Sequence, residues 1–162
     1  MSLRNTSDRP ALIGRSHSRW GAAPNISPSG AAPTHTDRVQ LNLQELQVQL
    51  ERATHPIVVE CFASWCPHCK NFAQSVFLAH KTAHKQPGHY YPIVSMDAAK
   101  YVFHRTDSVP DSCSSLYEYV KSIVPGYPTV AKLSWDGKSY SSTIFESETR
   151  DLQNLLQFAK KP

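Results

Sequence analysis

Two cysteines separated by two residues form the stretch of this chain best suited to chemistry. Cys66 and Cys69 flank Pro67 and His68 in the segment SWCPHCKNF. Two thiols at this spacing can form a small-loop disulfide, so that one attacks a substrate disulfide and the other resolves the mixed disulfide. A protonated His68 beside Cys66 stabilises the attacking thiolate. The spacing therefore indicates thiol–disulfide exchange.

Two other interpretations of the same pair stay open at the level of sequence. His80 and His84 complete a C-x2-C-x10-H-x3-H pattern, which resembles a zinc-finger ligand set but is two residues short between cysteine and histidine. One helix that carried all four ligands would spread them over about 27 Å, too far to share one ion. The other interpretation is a pair of unreactive thiols, for which a position at a helix start is a coincidence.

The elements around the pair are expected to place Cys66 at the start of a helix. The apolar, β-branched run PIVVECFA over residues 56–63 predicts a strand buried on both faces. A helix should begin near Cys66 and run to about Lys85, where Gln-Pro-Gly ends it. Unpaired N–H groups and the positive end of the helix dipole favour a thiolate at that N-terminus. Cys69 lies one turn further along the helix and is expected to be the more buried thiol.

The rest of the pattern alternates helices and strands. Asn42 and Glu45 resemble a capping box for a first helix, Thr149 is suited to cap the last one, and Asp136-Gly137 indicates a hairpin. The order βαβαβ, a connecting helix and then ββα predicts an α/β fold in which helices cover both faces of a central mixed sheet. The further segments are a strand at 90–97, an irregular stretch at 98–115 and a short helix at 115–123.

Composition and charge limit the class of protein. The 162 residues suffice for one domain, predicted at 38–162, preceded by a basic arm at 1–37 that is rich in Pro, Ser and Ala and is expected to be flexible. The formal charge of +4 is mild, and the sequence has no run of basic residues, which argues against nucleic-acid binding. No apolar run reaches the ~18 residues of a membrane span. Without a secretory signal we expect a cytoplasmic protein, with the mitochondrion as an alternative because the arm loosely fits a transit peptide.

Four stretches together resemble the thioredoxin superfamily, most closely the catalytic domains of protein disulfide isomerases. They are VVECFASWCPHCK (58–70), SMDA (95–98), VPGYPTVAKLSWDGK (124–138) and ETRDLQNLLQFAKK (148–161). The resemblance implies a thioredoxin-like fold over about residues 38–160 and a redox-active CXXC centre that exchanges disulfides with protein cysteines. It implies no metal or organic cofactor. Because large cytoplasmic DNA viruses encode similar enzymes, a virion is a further candidate location.

The resemblance also implies catalytic roles for individual residues. Cys66 is the attacking thiol and Cys69 the resolving thiol, and the two form the redox disulfide. Glu60 matches a buried carboxylate that accepts the proton of the resolving thiol, with a partly exposed strand residue as the alternative. Arg150 matches a mobile arginine that tunes the resolving cysteine, although a surface arginine in the first turn of a helix needs no such role.

Substrate binding is implied beside the cysteine pair. Pro128 occupies the position of the family's cis-proline, which lies against the cysteines. Tyr127 before it offers backbone hydrogen bonds to an extended substrate strand. Trp65 and Pro67 complete the implied substrate surface.

Two departures from the family pattern modify these expectations. Pro67-His68 stands where isomerases usually have Gly-His, and Pro-His is the pair found in DsbA-type periplasmic oxidants, so an oxidising or isomerising potential is favoured. The segment 98–115 is longer than usual, which suits a substrate groove, a docking site for a partner or a tolerated insertion. Together with the arm at 1–37, it motivates an alternative function as a structural or adaptor subunit of a larger assembly.

The two other cysteines have simpler interpretations. Cys61 falls within the predicted buried strand and is expected to be a small packed hydrophobe. Cys113 falls in the segment 98–115 and is expected to be a free loop thiol, with an intermolecular disulfide as the alternative.

Overall fold

A four-stranded sheet lies at the centre of residues 38–162, the part of the chain that the computed structural model describes, so the predicted arm at 1–37 lies outside the described residues. The strand order is β2-β1-β3-β4. β1 is parallel to β2 and antiparallel to β3, which pairs with an antiparallel β4. The mixed sheet predicted from the sequence is confirmed. The strands are β1 (Ile57–Phe62), β2 (Ile93–Asp97), β3 (Thr129–Trp135) and β4 (Tyr140–Ile144).

Helices cover both faces of the sheet, as predicted. They are α1 (Leu43–Arg52), α2 (Pro67–Lys85), α3 (Ser114–Ile123) and α4 (Leu152–Ala159). Successive residues of a strand point to opposite faces, so Val59 of β1 packs in a core with α1 and α3, while Val58 packs in a second core with α2 and α4. None of the helices in residues 38–162 is long and apolar enough to cross a bilayer.

The start of the domain differs from the predicted order in one strand. The capping box is confirmed, because the Asn42 side chain accepts from the Glu45 N–H and the Glu45 carboxylate accepts from the Asn42 N–H, both at 2.8 Å. The strand expected before α1 is wrong for the described residues, where a single parallel bridge joins Gln40 to Ser95 of β2. Because α1 begins at Leu43, only Leu41 and Asn42 lie between the bridge and the helix, so the pairing does not continue into a ladder on that side.

The last helix begins later than predicted. The prediction that Thr149 caps this helix is wrong. Asp151 is the N-cap residue, and its carboxylate accepts from the Asn154 N–H at 2.9 Å. Arg150 therefore precedes α4 instead of lying in its first turn. The predicted hairpin between β3 and β4 is confirmed, with Gly137 at a φ of 97°, a conformation that glycine adopts without steric cost.

The segment 98–115 is more regular than predicted. It contains a π-helix (Ala99–Phe103) and a 3-10 helix (Asp111–Cys113). Val102 and Cys113 both reach the core that contains α1 and α3. Cys113 is a free thiol, as predicted, but it is buried because its helix turns it inward, so it is not an accessible loop thiol.

Candidate active site

Cys66 lies where the chain passes from β1 to α2, as the sequence predicts. It is the N-cap residue of α2, and its N–H donates to the Ala63 carbonyl oxygen at 3.1 Å. Pro67 follows at the first helical position, where an N–H would have no partner within the helix. Cys66 is only 5% exposed, although an attacking thiol is expected to be accessible to its substrate. The reason is contact with a neighbouring loop, where the Tyr127 carbonyl oxygen accepts from the thiol at 3.7 Å.

Cys69 lies in the first turn of α2 and is fully buried, so it is the more buried of the two thiols as predicted. Burial raises the pKa of the Cys69 thiol to about 12, partly opposed by a backbone hydrogen bond from Ala63 and reinforced by the neighbouring Cys66. Both cysteines are free thiols in this structure. The disulfide between them therefore stays a prediction. The arrangement places the Cys66 thiol at the start of α2 and, one turn into the helix, the Cys69 thiol, which holds its proton strongly.

Glu60 of β1 is buried beneath the cysteines and paired with Arg38. The carboxylate is 1% exposed, so the interpretation as a partly exposed strand residue is wrong. Arg38 Nε donates to Oε1 at 2.6 Å, and Nη2 donates to Oε2 at 3.1 Å. The Ser95 hydroxyl on β2 donates to Oε1 at 2.8 Å. Two hydrogen bonds from the guanidinium and one from a hydroxyl thus satisfy a carboxylate that burial would otherwise strongly disfavour.

The electrostatics of Glu60 combine opposing effects. Burial raises the pKa of the Glu60 carboxyl, while the charge and hydrogen bonds of Arg38 and the hydrogen bond from Ser95 lower it, and the net direction is upward. Arg38 Nη2 also donates to the Cys69 carbonyl oxygen. The guanidinium carbon lies 4.5 Å from the centroid of the Phe62 ring. One cation therefore touches the Glu60 carboxylate, the backbone of Cys69 and the face of the Phe62 ring.

Arg38 and Ser95 hold the Glu60 carboxylate, and the sequence indicated neither of them. A lone carboxylate in an apolar strand requires a partner, and that requirement signals a missing cation. Nothing local identifies which cation, because Arg38 is 22 residues from Glu60 along the chain. It also falls at the edge of a segment whose composition resembles a flexible arm.

Aromatic side chains border the cysteine pair. Trp65 is 60% exposed, and its ring meets that of Tyr127 edge to face at 5.7 Å between centroids. Phe103 meets Tyr127 in the same manner at 6.1 Å. The peptide bond between Tyr127 and Pro128 is cis, and Pro128 is buried. Trp65, Tyr127 and Phe103 thus form a series of rings in edge-to-face contact, named here the aromatic rim. The sequence did not indicate Phe103 as a member of it.

Three other predicted site residues are exposed to solvent. Pro67 and His68 are exposed at the start of α2. Arg150 is exposed before α4 and forms no ion pair with a carboxylate of residues 38–162. The roles of His68 and Arg150 stay predictions.

The zinc interpretation finds no support in the described residues. His80 lies in the second half of α2, with its Nδ1 2.9 Å from the Ile93 carbonyl oxygen, and stacks on His84 at 6.0 Å between ring centroids. About 21 Å of helix separates His80 from Cys66. Within residues 38–162, no three histidine, cysteine or acidic side chains are grouped so that they could hold a metal ion. The two histidines and the two cysteines thus do not form one ligand set.

Solved structures with this fold include several from protein disulfide isomerase relatives. The first thioredoxin domain of mouse protein disulfide-isomerase A4 matches with a TM-score of 0.53 and 19% identity, covering 85% of each chain. The Trx4 domain of ERdj5 matches with a TM-score of 0.52 and 20% identity, covering 78% of this chain and 93% of that domain. Full-length ERdj5 matches with a TM-score of 0.51 and 18% identity over 78% of this chain, which spans only 15% of ERdj5. At such identities the likeness concerns the fold.

Sequence comparison identifies the family. No curated protein sequence matched the chain. The family model described as Thioredoxin matches residues 37–160, which is most of the chain and includes both cysteines. The chain therefore belongs to the thioredoxin family.

Proposed function

We propose that this protein is a thiol–disulfide oxidoreductase that acts on protein cysteines through Cys66 and Cys69. The observation that carries the proposal is the arrangement of these thiols, one at the N-terminus of α2 and one fully buried in its first turn. A thiolate at a helix N-terminus is stabilised by the helix dipole. A buried partner that keeps its proton does not compete for the first attack. No metal or organic cofactor is needed for this chemistry.

The proposed reaction consists of two exchanges. The Cys66 thiolate attacks one sulfur of a substrate disulfide, a mixed disulfide forms, and the other substrate sulfur leaves as a thiolate. Cys69 then loses its proton and attacks the Cys66 sulfur, which forms the Cys66–Cys69 disulfide and releases the second substrate thiol. The substrate is reduced by two electrons and the pair is oxidised by two. The reverse sequence oxidises a substrate dithiol, and partial reversal isomerises a disulfide.

The second exchange requires a proton acceptor. Because the pKa of Cys69 is raised to about 12, few molecules carry its thiolate at neutral pH. Glu60 is the acceptor we propose, since its carboxylate is close enough to Cys69 to raise the pKa of that thiol by charge repulsion. His68 is proposed to stabilise the Cys66 thiolate, and Arg150 to modulate Cys69 from the surface when it moves inward.

Substrate binding is proposed at the aromatic rim and the loop beside it. Trp65 and Pro67 offer exposed apolar surface next to Cys66. Tyr127 and Pro128 lie on the loop that contacts the Cys66 thiol, where backbone groups can pair with an extended substrate strand. An oxidising or isomerising role is favoured by the Pro67-His68 pair.

Turnover of insulin disulfides tests the proposal. We expect activity in the wild type, none in Cys66→Ser, and a trapped mixed disulfide with substrate in Cys69→Ser, because the resolving thiol is missing. Failure of the wild type to exchange disulfides in both reducing and oxidising buffers would contradict the proposal. The reduction potential then gives the direction, with about −120 to −180 mV expected for an oxidant or isomerase and about −270 mV for a reductant.

A further inference from the structure

One buried cation stands outside the two-cysteine reaction just proposed. Arg38 lies at the beginning of the described chain, before α1, yet its guanidinium is buried under the cysteine pair. We propose that Arg38 is a positioning residue of the thiol site, which holds Glu60 ionised and fixes it beside Cys69. This inference rests on the proposed function, since it assigns Arg38 to the same proton transfer.

The contacts of Arg38 link the proposed base to the residue that it serves. Nε and Nη2 donate to the two oxygens of Glu60 at 2.6 and 3.1 Å, which fixes the plane of the carboxylate. Nη2 also donates to the Cys69 carbonyl oxygen. A planar guanidinium can make these contacts simultaneously, whereas a lysine ammonium is a point charge on a flexible stem. Arg38 therefore ties the orientation of Glu60 to the first turn of α2.

The groups that face Glu60 show why its charge depends on Arg38. Ser95 approaches from β2, Cys61 is its neighbour on β1 and Cys69 lies on α2, and none of these is a cation. Val130 of β3 pairs with it from the other side. Arg38 is thus the source of positive charge in direct contact with the carboxylate within residues 38–162. Without it, burial favours the neutral carboxylic acid, which cannot accept a proton from Cys69.

Backbone pairing holds Arg38 in this position. The Ser95 N–H donates to the Val39 carbonyl oxygen and the Leu41 N–H donates to the Ser95 carbonyl oxygen, each at 2.8 Å. The same Ser95 donates its hydroxyl to Glu60. The short segment 38–41 is therefore bound to β2 at the residue that also holds the carboxylate. This anchoring explains how Arg38, which lies before the first helix, reaches Glu60 in the central strand β1.

Two titrations of the full chain test the role of Arg38. The first follows the Glu60 carboxyl by ¹³C NMR in the reduced protein, with the signal assigned by its loss in Glu60→Gln. In Arg38→Met we expect the midpoint to rise by about one pH unit or more, the usual effect of losing an arginine beside a carboxylate. The second follows the equilibrium of Cys66 and Cys69 with dithiothreitol across neutral pH. The pH dependence of this equilibrium should differ between the wild type and Arg38→Met. It should be the same in Glu60→Gln and in the double variant that carries both substitutions.

A matched arginine provides the control. Arg105 pairs with Asp107 at the surface, where Asp107 is 74% exposed, so Arg105→Met should leave both titrations unchanged. If Arg38→Met does not fold, Arg38→Lys replaces it. Lysine keeps a charge but loses the simultaneous contacts, so we expect a smaller upward shift of the Glu60 midpoint.

Three results would overturn the inference. The first is a Glu60 titration that is unchanged in the folded Arg38 variant. The second is a pH dependence of the dithiothreitol equilibrium that is unchanged in that variant. The third is that Arg38→Met changes the pH dependence of the dithiothreitol equilibrium as much in Glu60→Gln as in the wild type. That result would mean that Arg38 acts on the thiols without Glu60. Failure of the wild type to turn over insulin would refute the proposed function instead, and the Glu60 titration would still decide the link to Arg38.

Discussion

Arg38 and Glu60 form an ion pair shielded from solvent, with 2.6 Å between Nε and Oε1 and at most 1% of either side chain exposed. Charges removed from water are tolerated in a fold only when they are paired and hydrogen-bonded. The pair joins the segment before α1 to the centre of β1, which is buried along its whole length. Loss of one partner should therefore affect both the stability of the domain and the geometry around Cys69.

Removal of one partner of the pair should destabilise the domain strongly. Arg38→Met leaves the Glu60 carboxylate buried without its cation, and loss of one partner of a buried pair typically costs about 3–5 kcal/mol of unfolding free energy. Adding Glu60→Gln should recover part of this loss, because no uncompensated charge is then buried. Urea unfolding of the single and double variants measures both effects.

The pair of Arg105 and Asp107 serves as the control for this stability effect. The Arg105 side chain is 13% exposed and Asp107 is 74% exposed, so Arg105→Met leaves no buried charge behind and should lower the unfolding free energy by less than Arg38→Met does. Equal losses in Arg38→Met and Arg105→Met would show that burial of the first pair has no energetic consequence. Equal losses in Arg38→Met and the double variant would show that the two residues are not coupled.

Alkylation should distinguish the two active-site thiols. With a pKa raised to about 12, Cys69 carries about one thiolate in ten thousand molecules at about pH 8, and its side chain is buried. Iodoacetamide should therefore modify Cys66 in the reduced protein long before Cys69, as read by mass spectrometry of the peptides. Cys61, whose pKa is also raised to about 12 by burial, should stay unmodified like Cys69. Alkylation of Cys69 as fast as Cys66 would contradict the assignment of the nucleophile.

The stability of the fold should decrease in mild acid because of His80. Burial chiefly, with a smaller effect of His84, lowers the pKa of His80 below its ordinary value of 6.5. Below about pH 6.5 the unfolded chain therefore binds a proton that the folded chain does not, and the unfolding free energy falls until the folded pKa is reached. Above that window His80 contributes no pH dependence. Urea unfolding across this range should show a smaller slope in His80→Gln than in the wild type.

An exposed histidine tests the specificity of that effect. His104 lies on the surface after the π-helix, so His104→Gln should retain the slope of the wild type between neutral and mildly acidic pH. A slope that is unchanged in His80→Gln would mean that another group causes the acid sensitivity.

The local parts of the fold and site could be read from the sequence. The Cys66 position follows from an apolar run that ends just before a helical pattern, and the capping box of Asn42 and Glu45 needs only three residues of spacing. Patterns of this kind are set by backbone geometry within one element. Even so, the cap of α4 was assigned to Thr149 and not Asp151, because both residue types can cap and the choice depends on where the preceding chain leaves the sheet.

The tertiary parts of the site could not be read in this way. Arg38 reaches Glu60 across 22 residues of sequence, and Phe103 reaches Tyr127 from a segment without clear periodicity. Nothing in either neighbourhood specifies the partner, since packing of whole elements brings the residues together. The roles assigned to His68 and Arg150, the compartment, and docking of the chain in a larger assembly through 1–37 or 98–115 stay predictions.

The aromatic rim should contribute to the binding of protein substrates but not to the chemistry. Phe103 extends the surface of Trp65 and Tyr127 beside Cys66, and an aromatic contact of this type is worth about 0.5–1.5 kcal/mol. Phe103→Ala should therefore raise KM for insulin about two- to tenfold with little change in kcat. Reduction of a small disulfide such as cystamine, which offers little surface for an aromatic contact, should be unaffected.

Leu78 gives the matched control for the rim. It has the same 37% exposure as Phe103, but it lies on α2 about 18 Å of helix away from Cys66, so Leu78→Ala should leave KM for insulin unchanged. An equal rise of KM in both variants would indicate a general loss of apolar surface, and an equal effect of Phe103→Ala on insulin and cystamine would indicate damage to the thiol pair. Selective loss with the protein substrate is the outcome that assigns Phe103 to substrate binding, because a protein chain covers more of the rim than a small disulfide does.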